Sequence, residues 1–178
     1  MQTFKLPNYP FERIYIALYI NIKNLNHIKD QLLSQNSDFN YAFIDASTAI
    51  SLYQVLAAVH NSIRNYKENE LQTKNINSEI VYSLSPTSTI IDAFDRFGIT
   101  DKTESLIIVK INGEEEQIKK ELEKIVNGTE LEPNDFNIKR ICNMTKIRMN
   151  YKLDKERYND LGKVTNIIIS SMAMRSII

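Results

Sequence analysis

The chain has 178 residues, 43% of them apolar, which is enough to bury one sizeable core and predicts a single domain over 1–178. Its 22 basic residues balance 22 acidic ones, so no overall basic field holds a polyanion, and any nucleic-acid contact has to be a local patch. Cys142 is alone, which excludes a disulfide framework and fits a reducing, intracellular compartment. The first apolar stretch, Ile14 to Ile20, is too short to span a bilayer and lacks a secretory signal ahead of it, so no membrane association is expected.

From Arg13 to Ile20 the residues alternate. Ile14, Ile16, Leu18 and Ile20 share one face, and Arg13, Tyr15, Ala17 and Tyr19 share the other, which predicts a strand. Asn24 is placed to cap a helix carrying Leu25, Ile28 and Leu32 on one stripe. A short strand at Tyr41 to Ile44 precedes a long helix opened by Ser47 or Thr48, with Leu52, Leu56, Val59, Ile63 and Tyr66 as its apolar stripe. The polar stretch Lys67 to Asn77 lacks periodicity and reads as a functional surface loop.

Ser85-Pro86 interrupts the apolar segment that starts at Ile80, because the residue before proline is pushed out of the helical region. A helix restarting near Thr89 carries Ile90, Ala93, Phe94 and Phe97 inward, with Gly98 in the left-handed turn that ends it. Leu106 to Val109 is an unbroken apolar run and reads as a buried central strand. Glu114 to Val126 is an amphipathic helix with Ile118, Leu122 and Ile125 inward and Gly128 closing it. The remainder reads as helical, with Pro133 starting one helix and Asn159 or Asp160 the last. The fold class that follows is α+β: a small sheet of about three to four strands packed against several helices.

The residues that carry common chemistries are absent or scattered. Only two histidines occur. His60 sits beside the Leu56/Ile63 stripe as a partly buried structural imidazole, and His27 lies on a polar helix face. One cysteine and two distant histidines assemble no zinc set, and four scattered glycines form no phosphate-cradling loop, so no metal or cofactor is expected. Glu114-Glu115-Glu116 favour the dipole at a helix start. Glu79 either caps the first turn of a helix or anchors the preceding loop. A catalytic reading would require Glu79 and His60 to converge in one pocket.

The last helix is unusual. Val164, Ile167, Ile168, Ile169, Met172, Ala173, Met174, Ile177 and Ile178 surround its axis almost completely. A helix apolar all round is buried on every side, either in the core or partly under a partner, and methionines suit adaptable partner surfaces. For nucleic acid, the basic candidates are Lys67, Lys74 and the group Lys139, Arg140, Lys146, Arg148 and Lys152.

The ordered segments Thr73-Lys74-Asn75-Ile76-Asn77-Ser78-Glu79, Leu84-Ser85-Pro86-Thr87, Ile91-Asp92-Ala93-Phe94 and Phe97-Gly98-Ile99 resemble the TPRKB (PRPK-binding protein) family, a subunit family of the KEOPS/EKC complex. The long helix before Thr73, Tyr151-Lys152-Leu153 and the apolar C-terminal helix extend the likeness over nearly the whole chain. The resemblance implies a non-enzymatic subunit that directly binds the complex's small atypical, PRPK-like protein kinase, contacts the remaining subunits indirectly and works in nucleus and cytoplasm. It also implies a part in engaging tRNA for threonylcarbamoylation of adenosine 37. In such a family the C-terminal helix belongs to the kinase-binding surface, which selects Ile168, Met172, Arg175 and Ile178, and Lys74 is the candidate for tRNA contact. The alternative is a stand-alone RNA-binding module, which the zero net charge disfavours.

Overall fold

The computed structural model describes residues 1–154 and 160–175. Its centre is the antiparallel pair β2 (Tyr9–Ile20) and β4 (Ser105–Ile111), in which Ile16 faces Val109 and Leu18 faces Ile107. On the far side of β4, β3 (Ala42–Asp45) continues these rows by placing Ala42 beside Val109 and Ile44 beside Ile107. Two short strands share the other edge of β2: β1 (Gln2–Leu6) along its first part and β5 (Thr129–Leu131) along Leu18 to Ile20. The sheet thus has five strands, all paired antiparallel, where about three to four were expected. The two additions are part-exposed edge strands without an apolar run.

Both faces of the central pair are buried. Ile14, Ile16, Leu18, Ile107 and Val109 point to one face. There they meet α2 (Leu52–Lys67), α3 (Ile76–Ser83), Phe97 at the end of α4 (Ile90–Phe97), and the C-terminal helices α6 (Asp135–Ile141), α7 (Met144–Tyr151) and α8 (Leu161–Met174). Tyr15, Ala17, Tyr19, Leu106 and Ile108 point to the other face, against Ile28 of α1 (Leu25–Leu33) and Ile118, Leu122 and Ile125 of α5 (Glu115–Ile125). The result is a sheet sandwiched between two helical layers, the α+β class expected. Among the described residues no helix is long and apolar enough to cross a membrane.

Several local expectations are corrected. The long helix opens at Ser51, whose side chain accepts from Gln54 N, while Ala46–Thr48 forms a 3-10 turn. Its inward stripe is Val55, Ala58, Val59, Ser62 and Ile63, with Leu52 and Leu56 partly buried and Tyr66 exposed. Asn24 makes no side-chain cap and instead ties α1 to the end of α5, donating to Ile125 O and accepting from Asn127 N. Gly98 is extended (φ −79°, ψ −174°), not left-handed, and is glycine because a Cβ there would lie 2.7 Å from Phe94 O. Gly128 closes no helix: α5 ends at Val126, and Gly128 sits against Ile20 O where β5 begins. Ile90 and Phe94 of α4 are partly solvent-exposed, leaving Ala93 and Phe97 as its buried residues. Asn134 caps α6 after Pro133, and Asp160 caps α8; Asn159 lies outside the described residues.

Ile107 is wholly buried in the middle of three strands. Ile107→Ala is expected to destabilise the protein by about 2–5 kcal/mol, the loss of transfer free energy plus a residual cavity. The check is the urea midpoint, which should fall at an unchanged slope.

Candidate interaction surfaces

α8 begins at Asp160, whose carboxylate accepts from Gly162 N at 2.8 Å. Val164, Ile168 and Met172 recur every four residues and form a single stripe. That stripe lies in the core, with Ile168 0% and Met172 1% exposed, and the helix packs on α2. Ile168 and Met172 are therefore corrected from partner contacts to core residues. Lys163, Asn166 and Ser170, all exposed, lie opposite this stripe, so the helix turns its polar side out. Outside the stripe, Ile167 and Ile169 are half-buried, and Leu161 and Met174 are exposed. Ile178 lies outside the described residues.

Arg175 turns inward. Its guanidinium donates to Tyr82 O and, at 3.1 Å, to Ser85 O, and it stacks 4.0 Å from the centre of the Tyr82 ring. These carbonyls close the C-terminal end of α3, where a cation is favoured by the helix dipole. Burial pulls the Arg175 pKa down, while Tyr82, Glu79 and Tyr151 push it back up. Nearby, Tyr151 donates to Leu84 O and accepts from Gln54 Nε2 at 2.8 Å, joining α7, α2 and the end of α3. Burial pushes the Tyr151 phenol pKa up, so it acts as a neutral donor.

At the other end of α3, Asn75 caps the helix by accepting from Ser78 N, and Glu79 is left for the loop. Of the two roles open to Glu79 from the sequence, the structure gives it the anchor. It is 0% exposed. Its Oε2 accepts from Gln72 N at 3.1 Å, Thr73 N at 3.0 Å and Thr73 Oγ1 at 2.8 Å, and its Oε1 accepts from Asn65 Nδ2 at 2.9 Å. His60 has separate partners, Asn8 and the Tyr9 ring, so the catalytic convergence with Glu79 does not occur.

Lys74 follows this anchor with its side chain exposed, at the rim of a cleft of about 730 Å³. Leu33, Tyr41, Val81 and Phe94 give the cleft apolar walls, and Asn77 and Ser78 give it polar groups. Apolar walls with a few placed polar groups and a cation at the mouth suit part of a larger ligand that carries negative charge. The other basic candidates are partly occupied. Lys67 pairs with Glu12 at 2.9 Å, and Lys146 pairs with the buried Asp45 at 3.2 Å. Lys139, Arg140 and Lys152 are exposed, with Arg140 lying over the Phe136 ring.

A layered fold whose notable surfaces are a helix flank carrying Ile167 and the exposed Met174, and a pinned loop presenting Lys74, belongs with binding proteins. Residues 19–176 match the family model described as kinase binding protein CGI-121, and the chain belongs to that family. It is 34% identical over 173 residues to the EKC/KEOPS complex subunit cgi121 of Schizosaccharomyces pombe, covering 96% of this chain and 97% of that protein. Identity is 34% over 182 residues to the Aspergillus fumigatus subunit of the same name (98% and 96% covered) and 30% over 198 residues to that of Candida albicans (98% and 98%). The resemblance read from Thr73–Glu79 and its companion segments is thus borne out.

Arg175 was selected from the sequence as a partner contact, yet its side chain is engaged within the fold. Arg175→Ala strips donors from two carbonyls and is expected to cost about 1–3 kcal/mol in stability. Arg175→Lys, which keeps the charge without the planar stack, should fall between the two in thermal melts.

Proposed function

We propose that this chain is a non-catalytic accessory subunit of a KEOPS/EKC tRNA threonylcarbamoylation complex. It binds and modulates the complex's small atypical kinase/ATPase through one flank of α8, and it assists tRNA engagement through Lys74. The observation that carries this reading is membership of the kinase-binding CGI-121 family together with the partly exposed Ile167 and exposed Met174 on one flank of α8. In this reading Ile167 and Met174, seven residues apart on one flank of the helix, form the contact. Ile168 and Met172 hold that surface up from beneath, and Arg175 fixes the end of the helix. Ile178 stays among the proposed contacts. The tRNA contact is supported by the exposed Lys74 beside the cleft, and the expected workplace is nucleus and cytoplasm.

The reading is tested by calorimetric titration of the chain with the KEOPS kinase. The doubly substituted Ile167→Glu, Met174→Glu protein should keep its melting temperature within a few degrees and lose at least about thirtyfold in affinity, as buried interface anchors do. Unchanged affinity would remove α8 from the interface, and no binding by the wild-type chain would remove the kinase reading itself.

A further inference from the structure

We infer that Glu79 is the positioning residue for the Lys74 contact, holding residues 72–75 in the one geometry in which Lys74 meets RNA; the inference rests on the proposed tRNA contact. Four donors on one fully buried carboxylate are more than a turn needs in order to close. Burying a carboxylate is costly unless its oxygens are well supplied, and here one oxygen gathers the amides of two successive loop residues and a hydroxyl. The outcome is that Lys74 sits between two fixed neighbours. Thr73 on its N-terminal side is tied to Glu79, and Asn75 on its C-terminal side is tied to Ser78 N at 2.9 Å.

Among the described residues the loop pairs with no strand, and its further bonds to backbone atoms are local: Glu70 N donates to Asn65 O, Gln72 Nε2 to Glu70 O and Thr73 Oγ1 to Asn75 O. The same Asn65 donates to Glu79 Oε1, so α2, the loop and α3 close on this carboxylate. A loop fixed beforehand loses less conformational entropy when a ligand arrives, and a long flexible lysine gains most from having its backbone settled. Glutamine cannot replace this residue cleanly. With its oxygen toward the loop, its amide group meets the donor of Asn65; reversed, it meets three loop donors.

Charge and geometry make opposite forecasts, and this separates a positioning role from a merely electrostatic one. Removing a negative charge near a phosphate-binding lysine should by itself strengthen binding to RNA. If Glu79 positions Lys74, Glu79→Gln weakens binding instead. The experiment measures the affinity of the full chain, within the reconstituted complex, for an unmodified tRNA transcript at several salt concentrations. It compares wild type, Lys74→Ala, Glu79→Gln and the double variant, with kinase affinity as the control for folding. Lys74→Ala is expected to weaken binding about three- to tenfold and to lower the salt slope by about one. Glu79→Gln should give a similar loss, and the double variant should add little to it. In parallel, the Gln72 and Thr73 amides of Glu79→Gln should exchange with solvent at least about tenfold faster than in wild type.

Retained or tighter tRNA binding in Glu79→Gln, where Lys74→Ala weakens it, would overturn the positioning role and leave the tRNA contact standing. A silent Lys74→Ala would overturn both. Should Glu79→Gln fail to fold, Asn65→Ala removes the Oε1 arm of the anchor and leaves the loop's own bonds in place. An intermediate loss in that variant supports the inference, and no loss overturns it.

Discussion

The antiparallel pairing of β2 with β4 is the constraint on which the rest of the structure depends. From Ile14 to Tyr19 every residue of β2 is buried, and so is every residue of β4 from Ser105 to Val109. Such a pair cannot face water on either side, so helices must cover both faces. One face is covered by α1 and α5, whose small stripes Ile28 and Ile118, Leu122, Ile125 suffice against Tyr15, Tyr19 and Ile108. The opposite face takes α2, α3 and the C-terminal helices. There α8 arrives last and lies on α2, turning Val164, Ile168 and Met172 to the core and Lys163, Asn166 and Ser170 outward.

The same arrangement explains how much of this fold is legible in its sequence. The central strands are legible because burial on both faces demands apolar runs, and Leu106 to Val109 or Ile14 to Ile20 allow little else. β1 and β5 are not, because Gln2–Leu6 and Thr129–Leu131 pair only at an edge and carry no apolar run. In α2 the period is right and the phase is off by about one residue. Periodicity favours large side chains such as Leu52 and Tyr66, whereas close packing against α3 requires small ones. Ala58 and Ser62 fill that seam, and the Ser62 hydroxyl meets both Ala58 O and Ser83 Oγ at 2.8 and 3.2 Å.

The surfaces are legible to a different degree. The motif around Thr73 and Glu79 led to the family, while the roles of single residues followed only from three-dimensional neighbours. Ile168 and Ile169 are identical in composition and adjacent in sequence, yet the packing of α8 on α2 buries the first and leaves the second half-exposed. Arg175 and Glu79 are polar residues whose partners lie mainly on backbone atoms, which leave no trace in side-chain patterning.

α3 is held at both ends by charge: the buried carboxylate of Glu79 at its start, where the loop closes on it, and the part-buried guanidinium of Arg175 at its finish. Each charge sits where the helix dipole favours it, and the negative charge of Glu79 also favours the charged form of Arg175. Because Arg175 belongs to the end of α8 and Glu79 holds the loop of Lys74, the eight residues of α3 are the shortest physical link between the two proposed surfaces. The two surfaces therefore share a structural support, and a change that loosens α3 loosens both.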